Sequence, residues 1–351
     1  MAQPVTVAAL AFTFAVSAVV IVVAGTKLAR GADVIAARTK LGGVWVGSVF
    51  LALATSLPEL TTDIAAVRMG APDLAAGDLF GSSMANMLIL ALISLVPTGR
   101  EIFCRATLDH VLYASLAMVM ACIAAITVLI RPAGSVLGVG PGSLLLLLTY
   151  AVGSHAAYRH GTLARAAAAS VEMSGAATEA GNHELPATQA VPSLRRAIVT
   201  FVGASLVILL AAPQFARSAQ GIAEVTGIGP TFVGTWLVGF STSLPELVTS
   251  LAAVRLRAYD LAVGNLFGSN ALNMTIFVVL DPLHRGPPVL SAVSPVHALS
   301  ALVGVVLMGI AVAALVYRAK GKPALLEPSS VLIIVGYVVG LALVFLQGVG
   351  N

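Results

Sequence analysis

Long apolar stretches recur from one end of this 351-residue sequence to the other. Each stretch reaches the roughly 20 residues that an α-helix needs to cross a hydrocarbon core about 30 Å thick. Within lipid the chain must satisfy its backbone hydrogen bonds internally, and helices do so. We therefore predict an all-α membrane protein with ten transmembrane helices, centred near Ala18, Leu51, Leu88, Met120, Leu147, Val207, Leu244, Phe277, Val306 and Gly340.

The composition agrees with this fold class, because 58% of the residues are hydrophobic, 10% are charged and the mean hydropathy is +0.99. These values lie outside the range of soluble globular domains. No basic residue precedes the first apolar run, which predicts a retained helix and not a cleaved signal peptide. The two cysteines, Cys104 and Cys122, are too few for a disulfide framework or a four-cysteine zinc site, and we expect them to pack.

The basic residues are distributed unequally between the two sides of the predicted spans. Fifteen of the 19 Lys and Arg residues fall in loops on one side, and the other side holds Arg68, Arg131, Arg217 and Arg285. Cytoplasmic loops of membrane proteins carry the excess of positive charge. We therefore predict a multi-pass protein of the cell (inner) membrane, with both termini outside and the central loop in the cytoplasm.

The sequence contains an internal repeat with a constant offset, because 43–87 align with 230–274 without a gap. In this alignment 24 of 45 positions are identical, and both copies contain TSLPEL and LFGS. The offset covers five predicted helices, so equivalent helices cross the membrane in opposite directions. This pattern predicts two inverted five-helix repeats, 1–157 and 194–351, joined by a flexible cytoplasmic linker at 158–193.

Two glutamates, Glu59 and Glu246, occupy equivalent positions in predicted spans, where charged side chains are costly and usually serve a function. Hydroxyl, amide and carboxyl side chains lie three or four residues apart, and so on one helix face, in the spans that contain the glutamates and in the span that follows each of them. Pro58 and Pro245 lack a backbone N–H and must kink their helices near Ala54 and Ser241. Such broken helices, with oxygen ligands and no thiolate or imidazole, predict a site for hard cations such as calcium or sodium.

The repeated motifs Thr-Ser-x-Pro-Glu and Gly-Asn-x-x-Gly-Ser-Asn resemble the α-repeats of the sodium/calcium exchangers, within the calcium/cation antiporter group. The resemblance implies an antiporter that transports calcium and sodium, with no enzymatic activity, cofactor or nucleic-acid partner, surrounded by membrane lipid. It also implies that calcium is bound by Glu59, Glu246, Thr55 and Thr242. The two glutamates would share sodium sites completed by Ser56, Ser82, Asn86, Ser243, Ser269, Asn273 and the carbonyl groups near Ala52 and Gly239.

The first repeat departs from this resemblance at two acidic residues. Residues 77–83 read GDLFGSS, so Asp78 replaces the asparagine of the motif, and Asp63 is equivalent to Ser250 in the second repeat. Both acids fall on the helix faces predicted to line the cavity. We predict that Asp63 and Asp78 are accessory residues that tune cation binding.

The main hypothesis is sodium-coupled calcium export by alternating access, with the ions bound between the repeats. A proton-coupled antiporter of calcium or another divalent cation is the alternative, which Asp63 and Asp78 would support. An intramembrane aspartyl protease is disfavoured because Asp260 falls in a predicted cytoplasmic loop, away from Asp78. Broken, symmetry-related helices also favour a gated site over the continuous path of a channel.

Overall fold

The computed structural model describes residues 7–39, 41–175, 193–226, 242–317 and 327–349, and helices account for most of them. The first group of helices is α1 (Val7–Thr39), α2 (Gly43–Thr55), α3 (Leu57–Arg68), α4 (Pro72–Leu95), α5 (Ile102–Arg105), α6 (His110–Ile130) and α7 (Pro141–Gly175). The second group is α8 (Leu194–Thr226), α9 (Leu244–Arg255), α10 (Tyr259–Leu280), α11 (Val289–Ala292), α12 (Val296–Tyr317) and α13 (Pro328–Val349).

The predicted multi-pass membrane class is confirmed. Within the described residues, seven helices are long and apolar enough to cross a membrane, or eight if the bent pair α2 and α3 forms one span. The two remaining predicted spans correspond to α7, which does not meet that standard, and to α9, whose preceding residues 227–241 lie outside the described part. The count of ten therefore stays a prediction.

Helix boundaries recur with the same offset as the sequence repeat. The pairs α1 and α8, α3 and α9, α4 and α10, and α7 and α13 each begin at equivalent positions of the two repeats. The repeated architecture thus extends well beyond the segment where the amino acids themselves are similar.

The helix break at the first TSLPEL motif is confirmed. The axes of α2 and α3 differ by 42°, and Ser56 at the junction has φ −87° and ψ 2°. Pro58 has no N–H to donate to the Ala54 carbonyl one turn earlier, so the helix cannot continue straight. Ser243 has nearly the same conformation, with φ −81° and ψ 4°, whereas Ser241 lies outside the described residues.

The first part of the predicted linker at 158–193 is helical in the structure. Helix α7 continues to Gly175, and 176–192 lie outside the described residues. The sequence from 164 to 169 reads ARAAAA, and alanine and arginine are among the strongest helix formers. A composition rich in small residues therefore extended a helix instead of ending it.

Glycines allow α2 to lie against α10 at backbone contact distance. A Cβ atom on Gly47 would lie 2.8 Å from the Leu261 carbonyl oxygen, and one on Gly264 would lie 3.0 Å from that of Val44. A Cβ on Gly268 would overlap the backbone of Ser48. These contacts fix the N-terminal half of α2, which leads to Thr55, against α10.

Two histidine–aspartate contacts join the halves of the chain, again at equivalent positions. His110 Nε2 lies 2.9 Å from Asp260 Oδ1, and His297 Nε2 lies 3.0 Å from Asp73 Oδ1. His297 is the repeat equivalent of His110, and Asp260 is that of Asp73, so the two contacts are one pairing made twice. They anchor the N-terminal ends of α4 and α10, the two central helices, to the opposite half.

Candidate cation-binding site

Glu59 and Glu246 lie in the first turns of α3 and α9, directly after the helix breaks, and both are fully buried. Their carboxyl groups are within electrostatic reach of each other. None of their four carboxylate oxygens meets full hydrogen-bond geometry with a described residue, although the Thr55 and Ser269 side chains lie next to the Glu246 carboxyl group. The N-terminal end of a helix favours negative charge, but a carboxylate buried this deeply still requires a cation or a proton to neutralise it. The arrangement is suited to holding a cation between the two glutamates.

Three serine hydroxyls predicted as ligands are buried in the same manner. Ser56 and Ser243 immediately precede α3 and α9, and Ser82 lies in the middle of α4. The Oγ atoms of these three residues find no hydrogen-bond partner in the part of the chain that the structure describes. Hydroxyl oxygens in this condition are available as neutral ligands beside the carboxylates.

Two hydrogen bonds between the halves hold the predicted threonine ligands. Thr55 Oγ1 donates to Asn265 Oδ1 at 3.1 Å, and Thr242 Oγ1 donates to Asp78 Oδ1 at 2.9 Å. The second bond repeats the first, because Thr242 and Asp78 are the repeat equivalents of Thr55 and Asn265. Thr55 Oγ1 also lies 3.5 Å from the Ser269 hydroxyl. The structure therefore brings the threonines of each repeat onto the central helix of the other.

The two predicted asparagine ligands differ in their surroundings. Asn86 Nδ2 donates to Asn270 Oδ1 at 2.8 Å, and Asn86 Oδ1 is buried without a partner among the described residues. Asn273, at the equivalent position of α10, has neither amide atom hydrogen bonded within the described residues. The site therefore contains one amide whose orientation is fixed and one whose orientation is not.

The predicted accessory acids, Asp63 and Asp78, are also buried and lie next to each other. Both are within electrostatic reach of Glu59. At the equivalent positions the second repeat is neutral, and Asn265 Nδ2 donates to the Ser250 hydroxyl at 3.1 Å. Both Asp63 oxygens lack a partner among the described residues. The first repeat thus replaces a neutral hydrogen bond by two adjoining carboxyl groups.

The predicted backbone ligands are placed only in part. The Ala52 carbonyl accepts a hydrogen bond from Ser56 N at 2.9 Å, and Gly239 lies outside the described residues. No three His, Cys, Asp or Glu side chains converge as a metal-binding group within the described ranges. A cation between Glu59 and Glu246 would therefore depend on hydroxyl, amide or backbone oxygens to complete its coordination.

Three residues near the site were missing from the predicted ligand set. Asn265 and Asn270 belong to the second Gly-Asn-x-x-Gly-Ser-Asn motif, and they orient the neighbouring Thr55 and Asn86. Their position in this repeated motif was the sequence feature that could have identified them. Ser48 is fully buried against α10, with an Oγ that has no partner among the described residues. Only its recurrence as Thr235 in the second repeat could have indicated it.

Comparison with known proteins decides the family. The profile of the family described as sodium/calcium exchanger protein matches residues 9–154 and 196–346, which include both repeats and exclude most of the predicted linker. The chain belongs to the sodium/calcium exchanger protein family. Proteins of this family are membrane transporters that exchange cations, and the predicted ion-transport class is confirmed.

Several individual relatives agree with this assignment. The inner membrane protein YrbG of Escherichia coli is 28% identical over 283 residues, covering 76% of this chain and 78% of its own. The sodium/calcium exchanger MaX1 of Methanosarcina acetivorans is 38% identical over 86 residues, covering 24% and 25% of the two chains. A solved structure of the sodium-calcium exchanger NCX_Mj, soaked with 10 mM Na⁺ and zero Ca²⁺, has the same fold with a TM-score of 0.68. It is 20% identical and covers 96% of this chain and 99% of its own.

Proposed function

We propose that this exchanger moves calcium out of the cell in exchange for sodium by alternating access, with the ions bound at the membrane midplane between Glu59 and Glu246. The observation that carries the proposal is the pair of buried carboxyl groups, which face each other with no basic residue paired to them among the described residues and with the Thr55 and Ser269 hydroxyls next to Glu246. Two carboxylates balance the charge of one calcium ion, and the surrounding hydroxyl and amide groups supply neutral oxygens.

Exchange follows from competition for the same oxygens. Calcium requires about six to eight oxygen ligands, whereas the site's two negative charges can also be balanced by sodium ions. Because the carboxylates are buried, leaving them without any cation is costly, so the empty protein is a poor carrier. One ion must therefore replace the other before the protein changes between the conformation open to the outside and the conformation open to the cytoplasm.

The architecture proposed for this cycle is ten helices in two inverted repeats, 1–157 and 194–351, with both termini outside and the 158–193 segment in the cytoplasm. Helix boundaries that recur at the repeat offset support the repeats, and the distribution of Lys and Arg supports the orientation. The hydrogen bonds of Thr55 and Thr242 to the opposite half support a site at their interface.

Proton coupling is the second candidate, and it is favoured by one specific observation. Asp63 and Asp78 are buried next to each other and within electrostatic reach of Glu59, and such a carboxyl group could carry a proton. In that case, a proton gradient would replace the sodium gradient as the driving force for calcium transport.

Calcium uptake into vesicles of purified protein separates the two candidates. We expect an outward sodium gradient to drive accumulation and a pH gradient in sodium-free medium to leave it at the level of protein-free vesicles. Uptake driven by the pH gradient alone, with no response to sodium, would support the proton-coupled alternative.

Exchange is expected to require sodium but not potassium. Asn273 is neutral, where potassium-dependent exchangers of the group that this sequence resembles place a carboxylate. Sodium-driven calcium flux should remain within about twofold when potassium is replaced by choline, because residue 273 carries no negative charge to bind a potassium ion. A collapse of the flux in choline would show that this interpretation of Asn273 is wrong.

The acidic pair is expected to tune affinity on one side of the membrane. Asp63→Ser and Asp78→Asn restore the neutral chemistry of Ser250 and Asn265, and they should raise half-saturating calcium by roughly 5- to 10-fold from one side, as loss of a nearby charge predicts. Oriented vesicles titrated from either side give the measurement. Asp33→Asn, which removes a half-buried acid of α1, is the matched control. Complete loss of transport would instead make the pair essential, and equal shifts from both sides would contradict the sidedness.

A further inference from the structure

The side chain of Asn270 lies between the backbone of α4 and the proposed ligand Asn86. Asn270 Nδ2 donates to the Ser83 carbonyl at 3.2 Å, while Asn270 Oδ1 accepts from Asn86 Nδ2 at 2.8 Å. Ser83, Asn86 and Asn270 are each at most 5% exposed. The two hydrogen bonds therefore form a buried chain that links α4 to α10 and returns to α4.

The chemistry of this chain permits one orientation of both amides. A backbone carbonyl can only accept a hydrogen bond, so the Asn270 NH₂ group must face Ser83. The Asn270 oxygen then faces Asn86, and because that oxygen also only accepts, Asn86 must turn its own NH₂ group toward it. The Asn86 Oδ1 atom is left at the free end, buried and without a partner among the described residues.

This orientation matters for a cation, which is attracted by an amide oxygen and repelled by an NH₂ group. The symmetry-related arrangement around Asn273 shows what happens without the chain. The residue equivalent to Asn270 is Ser83, whose hydroxyl donates to the Leu79 carbonyl at 3.0 Å in its own helix. Asn273, the counterpart of Asn86, accordingly has neither amide atom bonded within the described residues.

We infer that Asn270 is a positioning residue, which turns the amide oxygen of Asn86 toward the bound cation. The inference rests on the proposed function, in which Asn86 is a cation ligand. Asn270 itself need not touch the ion, because it acts through the orientation of its neighbour. The specificity of the site for cations then depends on a residue outside the ligand set.

The test substitutes Asn270 by the residue that the other repeat has at this position. We expect Asn270→Ser to raise half-saturating sodium for exchange about tenfold and to leave the maximal rate within about twofold, because a buried NH₂ group loses its acceptor. Sodium chloride, replaced by choline chloride at constant ionic strength, is the titrant. An unchanged half-saturating sodium concentration would overturn the inference.

A rescue experiment distinguishes orientation from a general structural effect. Asn86→Asp presents an oxygen to the cation in either orientation, and in its protonated form it still donates to Asn270 Oδ1, so adding Asn270→Ser should then change half-saturating sodium by less than about twofold. An equal tenfold loss in both backgrounds would overturn the inference. The near-isosteric Asn270→Asp, in its protonated form, donates to the Ser83 carbonyl and keeps the acceptor for Asn86, and it tests the idea even if Asn270→Ser folds poorly. It should not raise half-saturating sodium, and a several-fold rise would overturn the inference.

Asn86→Ala separates failure of this inference from failure of the proposed function. Sodium-dependent thermal stabilisation of the purified protein should weaken in this variant if Asn86 is a ligand. Unchanged stabilisation by sodium would remove Asn86 from the proposed site and the inference with it. Weaker stabilisation in Asn86→Ala together with wild-type behaviour of Asn270→Ser would overturn the inference alone.

Discussion

Glu59→Gln and Glu246→Gln are each expected to abolish calcium transport while the protein still folds and reaches the membrane. Glutamine keeps the size of the side chain but removes one of the two charges that balance a calcium ion. A unit charge about 4 Å away at an effective dielectric constant of about 20 contributes about 4 kcal/mol per unit of cation charge. Losing it should weaken binding by roughly a thousandfold or more.

Calcium flux into vesicles, normalised to the amount of folded protein, measures this effect. Glu101→Gln is the matched control, because the Glu101 side chain is partly exposed and forms a 3.1 Å ion pair with Arg105 within the same turn of the chain. Its flux should remain at the wild-type level. Near-normal transport by either Glu59→Gln or Glu246→Gln would remove that glutamate from the cation site.

Gly268→Ala should severely destabilise the protein, although it adds only one methyl group. The new Cβ would lie 2.5 Å from Ser48 Cα and overlap the adjoining Ser48 backbone, which cannot rotate away as a side chain would. Overpacking of a tight core lowers the free energy of unfolding by about 1–3 kcal/mol. Because the new methyl group would contact backbone, we expect a loss at or above the upper end of this range. The displaced α2 would also move Thr55 away from Asn265, so transport should fall with stability.

Thermal unfolding in detergent, followed by flux measurements on the surviving protein, tests this expectation. Gly309→Ala in α12 is the control, because a Cβ there meets no heavy atom within 4 Å among the described residues. Its unfolding midpoint should stay close to that of the wild type. A Gly268→Ala protein with wild-type stability would contradict the close approach of α2 and α10.

Hydropathy and the repeated motifs were sufficient to predict the membrane class and the family. Lipid leaves a chain few ways to satisfy its backbone, so apolar length alone restricts the fold. The same reasoning did not predict that the first residues of the linker are helical, because a polar or small-residue composition does not exclude a helix such as the end of α7.

The contacts between the halves could not be predicted in this way. The bonds of Thr55 to Asn265 and of Asn86 to Asn270 join residues 210 and 184 positions apart, and no local periodicity encodes such pairs. The histidine–aspartate contacts at the ends of α4 and α10 were missed for the same reason. The repeat offset relates one histidine–aspartate contact to the other, but it can be used to find the second contact only after the first is known.

Anomalous scattering from calcium bound in crystals of the wild-type protein tests the central claim most directly. The proposed function predicts one dominant peak about 2.3–2.6 Å from oxygens of both Glu59 and Glu246. The same crystals grown with excess sodium should lose the calcium peak, because both ions use these oxygens. A dominant peak elsewhere in the protein, or no peak between the two glutamates at saturating calcium, would contradict the assignment of this site to cation exchange.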